Sequence, residues 1–260
     1  MNALMIDRVT LTGPDDSTDP EALASLAGSR PWLEFAVLLS LTQQGHERYP
    51  STAWRHRFYQ STLPRSQRAL HLCGRVVLQL LDGTIASSHV AEVEAVSRVQ
   101  LNFSARQFTP DALDSLSARL LAWCDRIPDL RFIIQYNDDN AGLTEVLRRE
   151  PCLVERVSFL ADASGGRGIA PQQWPAPLPP FRTDYAGGIG PGRITEVLAT
   201  LAQVTPRAGI DMESSLRTDG RFDLAKVRAV LAEIEERCTP STQGPDRGRI
   251  LHFNASDLRL

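Results

Sequence analysis

The feature that most constrains this chain is a recurring alternation. Short apolar runs rich in β-branched residues are separated by longer stretches of helical period, the pattern of βα units wound around a parallel sheet. Eight runs can be placed, at residues 7–12, 33–40, 69–73, 98–103, 131–136, 157–162, 184–187 and 208–213. Helical patterns follow the first (19–28), fourth (110–126), fifth (140–149), seventh (193–204) and eighth (223–237). Thr109-Pro110-Asp111 reads as an N-cap with proline in the first helical position, and Gly190-Pro191-Gly192 precedes another helix with Thr195-Glu196 in its first turn.

Eight strands are the number that closes one barrel, and 260 residues suit a single such domain. The expected fold is therefore α/β, a single (β/α)8 TIM barrel with eight parallel strands and extended strand-end loops. The barrel is expected to occupy residues 1–238, with residues 239–260 forming a tail docked on it. Residues 42–68 are too long and polar for a simple connection, so they form either a loop over the barrel mouth or a loop plus a short helix. Residues 165–182, dense in proline and glycine, read as a long loop after the sixth strand.

Composition narrows the function classes. The 28 Lys and Arg against 31 Asp and Glu leave a net charge of −3, and the arginines are scattered along the chain with no basic stripe interleaved with aromatics, which argues against a nucleic-acid partner. The start, Met1 to Asp7, reaches an acid before any apolar run of signal-peptide length, and no apolar stretch approaches the roughly 20 residues that span a bilayer. A cytoplasmic protein with no membrane contact is expected. Cys73, Cys124, Cys152 and Cys238 are far apart, without the paired spacing of a zinc site, and read as thiols. Lys226 is the single lysine and lies in the last helical stretch, which excludes Schiff-base aldolase chemistry.

Inward polar side chains near strand ends cost free energy unless they serve a purpose. Here they are numerous: Thr10 and Thr12, His71, Gln100 and Asn102, Gln135 and Asn137, Asp162, then Asp211 and Glu213. Alternation places each same-strand pair on one face, so polar groups from several strands converge on one mouth. One unpaired buried polar group costs about 1–3 kcal/mol, so a whole ring of them favours a working site over a buried hydrogen-bond layer. His71 and Cys73, two residues apart, lack a third ligand at metal spacing, and a core histidine and thiol is the simpler reading. The glycines of Thr183 to Pro191 stand where backbone amides could approach an anion at a helix start, and the loops after strands seven and eight are the usual phosphate site of such barrels. Arg48, after a Gly45-His46-Glu47 turn, could reach a carboxylate or phosphate bidentately.

Several segments, in order, resemble phosphoribosylanthranilate isomerase. Tyr185-Ala186-Gly187-Gly188-Ile189-Gly190-Pro191 resembles that family's Leu-Ala-Gly-Gly-Leu-x-Pro stretch, and Ile210-Asp211-Met212-Glu213-Ser214-Ser215 its Val-Asp-Val-Ser-Ser-Gly. Leu160-Ala161-Asp162-Ala163, with Gly165-Gly166-Arg167-Gly168 and Trp174 behind it, is similar to the family's Leu-Leu-Asp segment, glycine-rich loop and tryptophan, and Arg48-Tyr49-Pro50-Ser51 to its strand-two loop. The resemblance implies an isomerase of tryptophan biosynthesis. It would act on a phosphorylated sugar conjugate by acid/base (Amadori-type) proton transfer, with no cofactor and no metal.

Carried over by position, the resemblance makes Asp162 the general acid and Arg48 the substrate arginine. Gly187 and Gly188, with Ser214 and Ser215, become the phosphate site, while His71, Asn102, Gln135 and Asp211 complete substrate binding. Thr12 occupies the position of the family's basic cysteine, and Glu213 that of a small serine. The base is then left to Asp15, Asp16 or Glu213, and Thr12, Asp162 and Glu213 are the candidate catalytic set. A threonine hydroxyl is a far poorer base than a thiolate, so weak activity on the family's own substrate is expected. Two alternatives stay open: a barrel that binds a small ligand without this catalysis, and an enzyme using a carboxylate pair on a non-phosphorylated substrate. The expected partner is a small, anionic molecule, and a homodimer is left open.

Overall fold

Alternating strands bury two different faces in this protein, and the division between them positions the site. The computed structural model describes residues 3–109, 115–162, 168–242 and 248–257. Strands β1 (Ala3–Thr12), β2 (Leu33–Ser40), β3 (Arg68–Cys73), β4 (Arg98–Asn102), β5 (Arg131–Tyr136), β6 (Val157–Ala161), β7 (Arg182–Ala186) and β8 (Arg207–Met212) pair in that order, each parallel to the next. β1 also pairs with β8, Thr10 opposite Asp211, and the barrel is closed. This is the (β/α)8 fold.

One parity of each strand packs outward against the helices: Val9 and Leu11, Phe35 and Val37, Leu70 and Leu72, Phe132 and Ile134, Ile210 and Met212 all belong to the buried apolar core. The other parity fills the barrel and is largely polar. Glu34, fully buried, accepts through Oε1 from Thr10 Oγ1 and from Arg98 Nη1, each at 3.0 Å. Arg98 Nη2 donates to Asp184 Oδ2 at 2.6 Å. Gly209 leaves the space that Asp184 occupies, since a Cβ there would lie 2.3 Å from its Oδ1.

The helices are α1 (Pro20–Ala27), α2 (Thr52–Gln60), α3 (Arg75–Asp82), α4 (Ser87–Glu94), α5 (Leu116–Arg126), α6 (Leu143–Arg148), α7 (Ile194–Val204) and α8 (Leu224–Arg237). Caps fix several starts: the Asp19 side chain accepts from Glu21 N, Ser51 from Trp54 N, and Asp223 from Ala225 N and Lys226 N. The stretch 42–68 thus holds a loop plus a short helix, α2. Two helices that the sequence reading did not place, α3 and α4, lie between β3 and β4. The helix read over 110–126 is seen from Leu116, and its Pro110-Asp111 start lies outside the described residues. Residues 168–181, between β6 and β7, contain no helix or strand.

β1 is longer at its amino end than the periodicity suggests because Ala3 to Ile6 pair antiparallel with β10 (Leu251–Asn254), which in turn pairs with β9 (Cys238–Pro240). Among the described residues, no helix is long and apolar enough to cross a membrane.

Candidate functional site

The inward polar positions at the carboxyl ends of the strands meet in a cavity of about 240 Å³ at the barrel mouth. β3 contributes His71 and Cys73, β4 Gln100 and Asn102, and β5 Gln135; Asp162 follows the end of β6, and β8 with the residue after it contributes Asp211 and Glu213. Arg48 and Tyr49 come in from the loop after β2, and Gly187, Gly188 and Ser214 from the loops after β7 and β8. Each of these strands supplies a side chain because the residue two positions earlier points into the same barrel interior.

Three carboxyl groups, Asp162, Asp211 and Glu213, line this cavity. Asp211 is pushed up to about 8, mainly by burial and further by the nearby Glu213 and Asp162 carboxylates, against a lowering hydrogen bond from Thr12. It therefore keeps its proton at neutral pH. Burial also raises Glu213, and the Arg48 guanidinium works against that shift through an ion pair between Arg48 Nη2 and Glu213 Oε1. Gln135 Nε2 donates to Asp162 Oδ2 at 3.1 Å, a bond that orients the carboxylate.

Neutral donors complete the wall. Gln100 Nε2 donates to Asn102 Oδ1 at 2.8 Å, and Asn102 Nδ2 to Cys73 Sγ at 3.4 Å. Burial, with the Arg98 and Arg48 charges, lowers His71 to about 3, so it is a neutral imidazole, and its Nε2 has no hydrogen-bond partner among the described residues. Burial raises Tyr49 to about 12 and also raises the Cys73 thiol, so both stay protonated. Among the described residues no group of three or more His, Cys, Asp or Glu is arranged to hold a metal ion.

Arg48 is held with φ 65°, a left-handed conformation unusual for a residue with a side chain. Strain of this kind costs about 1–3 kcal/mol and persists where the surroundings fix it, here the ion pair to Glu213 inside the mouth.

Of the residues singled out in the sequence, Arg48, His71, Asn102, Gln135, Asp162, Asp211, Glu213, Gly187, Gly188 and Ser214 line this one cavity. Thr12 and Ser215 do not. Thr12 is fully buried at the end of β1, where its hydroxyl donates to Asp211 Oδ1 at 2.6 Å. Ser215 Oγ donates to the Ile189 carbonyl. The alternative bases are also outside the cavity: Asp15 is engaged by Ser17 and Arg217, and Asp16 accepts from Ser51. Gly187 and Gly188 have a packing reason for lacking a side chain, since a Cβ would lie 2.8 Å from Ile169 O and 2.7 Å from Ala170 N. Gly165, Gly166 and Arg167 lie outside the described residues.

Tyr49, Cys73 and Gln100 line the cavity without having been assigned a role there. Alternation placed Gln100 beside Asn102 and Cys73 beside His71, which was the available signal. Tyr49 sits next to Arg48 in the quoted loop, and no period marks a loop side chain as inward.

The fold and site define a (β/α)8 barrel with an acidic, hydrogen-bonding mouth at the carboxyl ends of its strands, where enzymes of this architecture carry their chemistry. No known family profile matches the sequence, and no curated protein matches it. Solved structures similar in shape include phosphoribosyl anthranilate isomerase from Thermococcus kodakaraensis, at a TM-score of 0.49 and 15% identity over 87% of this chain and 98% of that chain. N-(5'-phosphoribosyl)anthranilate isomerase from Pyrococcus furiosus is similar at a TM-score of 0.48 and 11% identity, over 88% of this chain and 98% of that chain.

Proposed function

We propose that this barrel is an acid/base isomerase of the aldose-ketose type, acting on a sugar-derived conjugate. The observation that carries the reading is the pairing, across one small cavity, of a carboxyl that keeps its proton with a second carboxyl group oriented by a side-chain hydrogen bond. Asp211, at about 8, is the acid. Asp162, held by Gln135, is the base. An acid that holds its proton at neutral pH, across a cavity from a second carboxyl positioned to accept one, is what such a reaction needs.

For an aminoaldose the steps balance as follows. Asp211 donates its proton to the ring oxygen as the C1–O bond breaks, leaving an open-chain iminium. Asp162 takes the C2 proton, and the C–H electrons neutralise the iminium to an enolamine. Asp162 returns that proton to C1 while the C2 hydroxyl proton passes to the Asp211 carboxylate, giving the aminoketose and restoring both groups. His71 Nε2 and the Asn102 amide are placed to hold hydroxyls.

A phosphorylated conjugate is the first choice of substrate. It is supported by the sequence resemblance and by Gly187, Gly188 and Ser214 at the cavity edge. A second reading, a non-phosphorylated substrate, is favoured by one observation, the Glu213 carboxylate lining the mouth directly before Ser214, where it would repel a phosphate. The test is proton exchange in heavy water: N-(5-phosphoribosyl)anthranilate and its dephosphorylated counterpart are each incubated with the protein, and deuterium at the former C2 and C1 positions is followed by NMR. Exchange into the phosphorylated compound supports the first choice, exchange into the other alone supports the second, and exchange into neither leaves the isomerase reading without support.

A further inference from the structure

The opposite end of the barrel carries a second cavity of about 250 Å³ that plays no part in the mouth. Its lining includes seven arginines against three carboxylates, in a chain whose net charge is −3. The concentration has a simple structural origin: Arg98, Arg131, Arg182 and Arg207 are each the first residue of a barrel strand, so the parallel sheet delivers them to one rim. Arg8 reaches the same rim from β1, Arg156 from just before β6, and Arg249 from the segment leading into β10.

The carboxylates of the cavity are already engaged. Asp184 accepts from Arg98 at 2.6 Å, Asp7 is held by Arg207 at 2.6 Å, and Glu155 lies 3.6 Å from Arg182. Arg8, Arg131, Arg156 and Arg249 have no carboxylate partner among the described residues. Arg8 donates to the Ser66 carbonyl at 3.1 Å, Arg131 to the Leu130 carbonyl at 3.2 Å, and Arg156 to the Pro128 carbonyl. Burial depresses Arg8, the Glu34 carboxylate works against that shift, and the Arg98 and Arg249 guanidiniums add to it; burial and the Arg156 guanidinium depress Arg131. Like charges crowded within one Debye length, about 8 Å at physiological salt, repel unless a counter-charge sits among them. Each guanidinium also offers a planar fork that matches the oxygens of a phosphate or carboxylate. The cavity is recessed and has no aromatic side chain in its lining, so it lacks the stacking surfaces that hold nucleic-acid bases.

We propose that this amino-end cavity is a binding site for a small, multiply charged oxyanion, gripped by Arg8, Arg131, Arg156 and Arg249 and separate from the reaction at the mouth. The volume suits a compact ligand bearing two or three phosphate or carboxylate groups. Because such a ligand binds the folded barrel and not the unfolded chain, it raises the unfolding temperature, and the rise grows with the logarithm of its concentration above Kd.

Isothermal titration of pyrophosphate and, separately, of citrate into the full chain at low ionic strength tests this, with thermal unfolding run in parallel. The expected result is binding of at least one of them with a matching rise in Tm; the pyrophosphate arm identifies a phosphate ligand and the citrate arm a carboxylate one. Arg131→Ser with Arg156→Ser should weaken that binding by about tenfold or more, because each removes charge-assisted hydrogen bonds. Arg48→Ser, which removes the guanidinium of the mouth, should leave it unchanged. Should the double variant not fold, Arg249→Ser, on an exposed residue, carries the same expectation. The proposal is overturned if neither anion binds more tightly than about 10 mM, if the amino-end variants bind as the unmodified chain does, or if Arg48→Ser alone abolishes binding.

Discussion

The Thr12 hydroxyl donates a 2.6 Å hydrogen bond to Asp211 Oδ1 across the seam where β1 and β8 close the barrel. Thr12 is fully buried and touches no part of the cavity, whereas Asp211 lines it. The hydroxyl thus acts on the site only through Asp211, as a positioning group that favours the ionised carboxylate and holds its pKa below where burial alone would put it.

Thr12→Val keeps the shape and removes that bond. The titration of Asp211 should then move above about 8, and the alkaline limb of the deuterium-exchange rate should move up with it. Loss of the bond should also cost about 1 kcal/mol of stability. A pH–rate profile of the two proteins decides the matter, and an alkaline limb that stays in place would show that another group sets it.

Asp211 also makes stability depend on pH. Its ordinary value of 3.8 is raised to about 8 in the fold. Between those values the unfolded chain has released the proton and the native protein still holds it, so stability falls as pH rises through this window and levels off above it. The full difference corresponds to about 6 kcal/mol at most. Asp211→Asn removes the ionisation, so urea unfolding at pH 5 and pH 8 should show the variant gaining on the unmodified chain at the higher pH. Parallel behaviour at both values would contradict a protonated Asp211.

The barrel was legible in the sequence because its outward strand faces repeat apolar residues such as Phe35, Val37 and Leu39 with a period of two, and caps such as Asp19 and Asp223 punctuate the helices. α3 was missed although Val76, Val77, Leu80 and Leu81 are all buried along one face, a helical spacing visible in principle. The carboxyl-end polar residues were also legible, since His71, Gln100, Gln135 and Asp211 interrupt otherwise apolar strands. Their partners were not. Parity says that Thr12 and Asp211 point inward but not that they hydrogen-bond each other, which depends on the stagger of strands across the seam. The arginines read as scattered for the same reason: Arg98, Arg131, Arg182 and Arg207 are distant in the chain, and only the parallel register brings them to one rim.

Arg98 joins Glu34 and Asp184 inside the barrel, so Arg98→Met leaves two buried carboxylates without their cation. Breaking a buried pair in this way costs about 3–5 kcal/mol, and the loss should appear as a lower urea midpoint. Adding Glu34→Gln and Asp184→Asn removes the stranded charges and should recover much of the deficit. If the triple variant is no better than Arg98→Met, the cost lies in lost packing of the arginine stem and not in unpaired charge.

The last prediction separates Asp162 from Thr12 as the group that moves the C2 proton. Asp162 is only 4% exposed, lines the cavity and accepts from Gln135 Nε2. Asp162→Asn preserves the shape and the capacity to accept that bond through its amide oxygen, but it removes the basic lone pair. A positioned general base contributes about 10²–10⁴-fold, or about 3–5 kcal/mol of barrier, so the exchange rate should fall by that factor while the affinity for a non-reacting substrate analogue changes little. Thr12→Cys introduces a thiol beside Asp211 at a position that does not line the cavity, so it should not raise the rate. Measured together, a collapse of exchange in Asp162→Asn with none of the gain in Thr12→Cys identifies Asp162 as the base. A faster Thr12→Cys protein would mean that β1 presents its last residue to the substrate after all.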